Sequence, residues 1–116
     1  MPSTTGVRRG DVVLVRFVFA DELGVKRRPV LVLSADEYHA DRAEIVVAAI
    51  TSNVGRLLPG DGLLKEWRRA GLAKPSVATG ILRTIKAAMI DATLGAVAKA
   101  DLGAVEDRLR RMLGLA

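Results

Sequence analysis

The segment Arg27-Arg28-Pro29 stands directly before an apolar run, Val30-Leu31-Val32-Leu33, and a second apolar run, Ala48-Ala49-Ile50, leads into Thr51-Ser52. A guanidinium presents a planar fork of donors matched to phosphate oxygens. It stays charged at any working pH, so it can hold an anion but makes a poor base. A threonine hydroxyl can position or polarise a phosphate or another hydroxyl. Against this stands a plainer reading: a charge exposed before a strand, and a Thr in its ordinary strand setting. Asp21 and Glu22 lie in the polar stretch before the Arg-Pro pair and are the nearest carboxylates in sequence. Loop carboxylates are usually only solvated charges. His39 is the one imidazole and sits among acids in Asp36-Glu37-Tyr38-His39-Ala40-Asp41, which reads as a surface histidine.

What is missing narrows the chemistry further. There is no cysteine, which excludes disulfides, thiolate metal sites and a cysteine nucleophile. A single histidine leaves no His-based zinc site and no histidine pair for acid–base work. No metal and no cofactor are expected. Half of the 116 residues are hydrophobic, yet only Phe17, Phe19, Tyr38 and Trp67 are aromatic, so aliphatic side chains must fill the core. That is too little aromatic surface for a binder working by serial base stacking. Trp67 reads as a core or interface anchor. The net charge of +5 suits a polyanion, and suits an acidic protein equally well. No run reaches the ~18 apolar residues of a membrane span, and the first residues lack an apolar signal core. A cytoplasmic protein with no membrane partner is expected.

The elements that must carry these side chains can be read from periodicity. One domain over residues 1–116 is expected, since no repeat or low-complexity linker divides the chain. Residues 11–19 and 28–34 read as strands, with Pro29 near the start of the second, where a missing amide donor is tolerated. Residues 35–41 are turn-like or briefly helical. Residues 44–52 form a third, central strand, and 53–62, with three glycines and a proline, an exposed loop. One helical turn around Trp67, strands at 76–85 and 93–97 and a turn at 86–89 follow. From Asp101 the period changes: Leu102, Val105, Leu109, Met112 and Leu113 line one helix face, with acids early, arginines late and Gly114 as a stop. About five short strands and a C-terminal helix describe a small, partly closed antiparallel barrel.

Several motifs now fall in order: Gly10-Asp11-Val12-Val13-Leu14-Val15, Arg27-Arg28-Pro29-Val30, Ala49-Ile50-Thr51-Ser52, Trp67-Arg68-Arg69-Ala70-Gly71-Leu72, Lys74-Pro75-Ser76-Val77 and Leu82-Arg83-Thr84-Ile85. Each is weak alone, but their order and spacing over nearly the whole chain resemble the MazF/PemK toxins. The resemblance implies a mainly β, SH3-like barrel, a homodimer, and sequence-specific, metal-independent cleavage of single-stranded RNA. It further implies a cognate antitoxin protein that blocks the site.

Cutting RNA without a metal uses the 2′-hydroxyl to attack the adjacent phosphorus, leaving a 2′,3′-cyclic phosphate and a 5′-hydroxyl. A base must take the 2′ proton, charge on the phosphorane oxygens must be stabilised, and the 5′ oxygen must be protonated as it leaves. The resemblance makes Arg28 and Thr51 catalytic. If the strand register shifts by one residue, Ser52 takes the outward place instead. Family members carry an acid before the Arg-Pro pair, which makes Glu22 a candidate base, although the local spacing differs from theirs. Others use an Arg and an Asp in the strand matching residues 76–84. Here Val77-Ala78-Thr79-Gly80-Ile81-Leu82 holds neither, and Lys86 replaces an acid. Lys26, Arg27, Ser52, Arg56 and Arg83 are candidate RNA contacts, with sequence preference expected from the loops at 20–27 and 53–62. The missing pair leaves a second reading open: a non-catalytic toxin resembling CcdB, or a nucleic-acid-binding barrel, that acts by binding alone.

Overall fold

In a computed structural model, the chain is described over residues 6–18 and 25–115. Its elements are β1 (Asp11–Val18), β2 (Val25–Val32), α1 (Asp36–Asp41), β3 (Glu44–Thr51), β4 (Gly62–Leu63), β5 (Val77–Lys86), a 3-10 turn (Ala87–Met89), β6 (Ile90–Ala96) and α2 (Lys99–Leu113). The strands form one antiparallel sheet in the order β4-β5-β3-β2-β1-β6. Strands β4 and β6 lie at its two ends with no pairing between them among the described residues, so the expected barrel does not close by hydrogen bonding. The mainly β architecture with one C-terminal helix otherwise stands as expected.

The central strands read as continuous apolar runs because both of their faces are covered. On one face Val12, Leu31, Ala48, Ile50 and Ala78 pack with Leu64, Leu72 and Val105 of α2, and Leu109 and Trp67 lie against this cluster. On the other, Val13, Val15, Val30, Val32, Ile45, Val47 and Ile85 form a second cluster, closed by Met89 and Ile90. Alternation along β2 thus sends Leu31 to one core and Val30 and Val32 to the other. At about 1.5–3 kcal/mol per fully buried aliphatic side chain, these clusters dominate the favourable side of folding.

Helix α2 ends where Gly114 adopts φ 72°, its N–H turned back to the carbonyls of Arg110 and Arg111. At the other end, Asp101 does more than complement the helix dipole. It is 5% exposed, and its carboxylate accepts the N–H groups of Lys65 at 3.0 Å and Glu66 at 2.9 Å. The turn around Trp67 is thereby fastened to α2. Its far side meets β6 at two glycines. Gly71 has φ +82°, a Cβ there would stand 2.1 Å from the Leu94 carbonyl oxygen, and a Cβ on Gly95 would stand 2.7 Å from Ala70 backbone. Only residues without side chains allow this approach.

Three departures from the sequence expectations have physical causes. Strand β6 begins at Ile90, three residues earlier than position 93, because Asp91 is neutralised from outside the strand: Arg16 Nε and Arg27 Nε each lie 2.6 Å from its carboxylate oxygens. The two-residue β4 falls in what reads as loop and is held by pairing with β5 alone. His39 is not a surface histidine. It is 2% exposed, with Nε2 2.6 Å from Ser34 Oγ, and that oxygen also accepts Val46 N–H at 3.0 Å. A polar partner brought by the β2–α1 connection lets the imidazole enter the interior.

Candidate active site

The end of β3 is shaped by an irregularity in its neighbour. Ala48 pairs with Leu82, but Ile50 pairs with Ala78, so strand β5 carries extra residues across that interval. Thr79 stabilises the bulge by donating its hydroxyl to the Ala49 carbonyl at 2.7 Å while accepting Ile81 N–H at 3.1 Å. Gly80 N–H reaches Asp61 Oδ1 at 2.8 Å, which ties the loop after β3 to the same bulge. Bulges re-aim side chains at strand ends. Here the strand finishes with Ile50 buried and Thr51 half-buried, paired with Val77.

Beside that end runs the start of β2. Arg28 pairs with Val15 and Arg27 with Arg16, so the two arginines point to opposite faces. Arg27 is engaged by Asp91 together with Arg16. Arg28 instead borders a pocket of ≈ 230 Å³, shared with Pro29, Thr51, Ser52, Lys74 and Ser76 and floored by Ile50 and Leu72. The Arg-Pro pair and the Thr-Ser pair, separate in sequence, therefore meet in one concavity.

The hydroxyl of Thr51 accepts the N–H of Asn53 at 3.1 Å, and Asn53 Oδ1 in turn accepts Gly55 N–H at 3.3 Å. The turn that follows β3 thus holds the Thr51 oxygen through one lone pair and leaves its proton to donate elsewhere. Ser76 has no such freedom, since its hydroxyl donates to the Lys74 carbonyl at 2.8 Å. Among the described residues, those lining the pocket include two cationic side chains, Arg28 and Lys74, and no carboxylate. Such a site favours an anion and offers it a guanidinium, an ammonium and hydroxyl donors.

The other sequence candidates fall elsewhere. Lys26 and Arg56 are exposed and Arg83 is exposed on β5, and none of the three lines this pocket. Glu22 and Asp21 lie outside the described residues. Lys74 was not singled out by its chemistry. Its signal is the Lys-Pro-Ser order, in which the buried serine hydroxyl holds the Lys74 carbonyl. Among the described residues no cluster of His, Asp or Glu could hold a metal ion, and no helix is long and apolar enough to cross a membrane.

Comparison with known proteins places the fold. Residues 8–113 match the family described as PemK-like, MazF-like toxin of type II toxin-antitoxin system. No curated protein matches the chain in sequence. Among solved structures, a MazE–MazF complex from Deinococcus radiodurans superposes with TM-score 0.79 at 22% identity, covering 95% of this chain and 97% of that one. The Mycobacterium tuberculosis toxin MazF-mt6 gives 0.75 at 22%, covering 91% and 98%. An endoribonuclease in complex with its cognate antitoxin, from a mycobacterial species, gives 0.73 at 21%, covering 96% and 98%. At these identities the structures testify to the fold.

Proposed function

The chain belongs to the PemK-like, MazF-like toxins of type II toxin–antitoxin systems, and from that premise we propose that it is an endoribonuclease that cuts single-stranded RNA at the pocket between β2 and the end of β3. The observation that carries this reading is the meeting of Arg28 with Thr51 and Ser52 in a concavity lined by cations and hydroxyls. A scissile phosphate placed there has its charge met by the Arg28 fork. The Thr51 hydroxyl, its lone pair engaged by Asn53 N–H, donates to a phosphate oxygen. Both contacts strengthen as the phosphorane gathers negative charge, which is what lowers the barrier.

The nucleophile is the RNA's own 2′-hydroxyl, so the ends are a 2′,3′-cyclic phosphate and a 5′-hydroxyl, and no metal is needed. Glu22 is the proposed acceptor of the 2′ proton, on the resemblance alone. Ser52 lies beside Thr51 and contacts the same phosphate, while Lys26, Arg56 and Arg83 meet flanking phosphates at a distance from the chemistry. Sequence preference comes from the segments 20–27 and 53–62.

Two partners complete the reading. A cognate antitoxin, a partner suggested by the neighbour solved in complex with its own, lays an acidic or amphipathic segment over the cationic pocket and shuts it. A second copy of the chain forms a homodimer. An apolar groove of ≈ 620 Å³ between Leu33, Tyr38, Leu82, Leu109 and Leu113 supports that expectation, which light scattering tests.

Incubating nuclease-free protein with a diverse single-stranded RNA pool in EDTA, then mapping ends by primer extension, tests the function. Discrete cut sites are expected. An intact pool would remove the reading and leave a toxin that acts by binding.

A further inference from the structure

We infer that Lys74 is the general acid that protonates the 5′ oxygen as it leaves. The inference rests on the ribonuclease reading above and assigns a task that Arg28 and Thr51 do not cover. An alkoxide is a far stronger base than an amine, so transfer from an ammonium onto the departing oxygen is downhill. A guanidinium holds its protons too tightly to serve well. Of the described side chains lining the pocket, Arg28 is the poor donor, Ser76 spends its proton on the Lys74 carbonyl, and Thr51 is a weakly acidic alcohol, as is Ser52. Lys74 is the remaining group able to release a proton readily.

Its backbone is held for the purpose. Leu72 is buried and donates its N–H to the Trp67 carbonyl at 3.1 Å, and Ser76 is buried with its carbonyl accepting Leu64 N–H at 3.0 Å. Between these anchors the chain bends at Ala73 and Lys74, and the Ser76 hydroxyl donates to the Lys74 carbonyl at 2.8 Å. The turn carrying Leu72 is in turn fastened to α2 through Asp101. An exposed lysine on a slack loop would lose most of its effective concentration. Lys74 is exposed at the pocket wall, on a three-residue bend held at both ends by the buried Leu72 and Ser76.

The step balances as follows. The 2′-hydroxyl proton passes to the base, the O2′–P bond forms, and the P–O5′ bond breaks. The electron pair of that bond stays on O5′, which takes a proton from the Lys74 Nζ, and solvent water returns one to the amine.

An RNA whose scissile 5′ oxygen is replaced by sulfur tests this, because a thiolate leaves without protonation. Against the ordinary linkage, Lys74→Ala and Lys74→Arg are each expected to cut about 10²–10³-fold more slowly than wild type. On the sulfur linkage both are expected within about tenfold of wild type, which also shows that they remain folded. Equal loss on the two linkages, or full activity of Lys74→Arg on the ordinary one, would make Lys74 an anion-binding charge and overturn the assignment. A wild type that cuts neither linkage would remove the ribonuclease reading itself.

Discussion

The Thr51 hydroxyl accepts the Asn53 N–H at 3.1 Å, so the turn that ends β3 also holds the threonine oxygen in place. A valine at position 51 keeps the shape and the strand pairing with Val77 but removes both the acceptor and the donor. Thr51→Val is expected to slow RNA cleavage by about 10²–10³-fold with a small change in melting temperature, and Thr51→Ser to retain most activity. Single-turnover rates measured beside thermal melts check this. A Val variant as active as the wild type would remove Thr51 from the chemistry.

Arg27 and Arg28 are neighbours with different partners. Arg27 shares Asp91 with Arg16, and Arg28 borders the pocket. Arg28→Ala is expected to lose about 10²–10³-fold in cleavage, with the larger effect on the rate constant. Arg27→Ala and Asp91→Asn are expected to change activity far less. Because these ion pairs are exposed at the arginine end, their stability cost stays near 0.2–1 kcal/mol. Ranking the three variants by rate and by denaturant midpoint separates the roles. Equal losses for Arg27→Ala and Arg28→Ala would contradict the division.

Affinity for RNA should fall with salt, since phosphate contacts release counterions. Each phosphate contact removed is expected to flatten the slope of log K against log salt by about 0.7. Arg28→Ala, bound to a non-cleavable 2′-deoxy oligonucleotide, should show that change. Binding that ignores salt in the wild type would argue against phosphate tracking.

Asp101 is the main polar anchor of the turn that leads to Lys74. Replacing it with alanine leaves the N–H groups of Lys65 and Glu66 without their acceptor at the α2 junction. The expected cost is about 2–4 kcal/mol, from the loss of two charge-assisted bonds at a largely buried site. Urea unfolding measures it. A cost below about 0.5 kcal/mol, the level of an ordinary surface change, would show that the turn holds without the carboxylate.

Much of the fold was legible because its signals are local. The apolar runs at Val12–Val15, Val30–Val32 and Ile45–Ile50 announced buried strands, and the three-and-four spacing of Val105, Leu109 and Met112 announced α2. What the sequence hid depends on partners far along the chain. Asp91 looks like a strand terminator until Arg16 and Arg27 meet it, His39 looks solvated until Ser34 does, and the bulge at Thr79 depends on the Ala49 carbonyl across the sheet. The open sheet likewise rests on two end strands that do not meet, which no local pattern records. The site follows the same division. Motif and chemistry point to Arg28 and Thr51, whereas Lys74 enters only because the bend after Leu72 brings it to their pocket. Glu22 lies outside the described residues, so the proposed base stands on resemblance.

The most direct measurement is the chemistry of the cut ends. Wild-type protein in EDTA, given an oligonucleotide that spans a mapped cut site, is expected to leave a 2′,3′-cyclic phosphate and a 5′-hydroxyl by mass spectrometry. Folded Arg28→Ala is expected to leave the oligonucleotide essentially uncut. Ends bearing a 3′-hydroxyl and a 5′-phosphate, or an undiminished rate in Arg28→Ala, would contradict cleavage by the 2′-hydroxyl at the Arg28–Thr51 pocket.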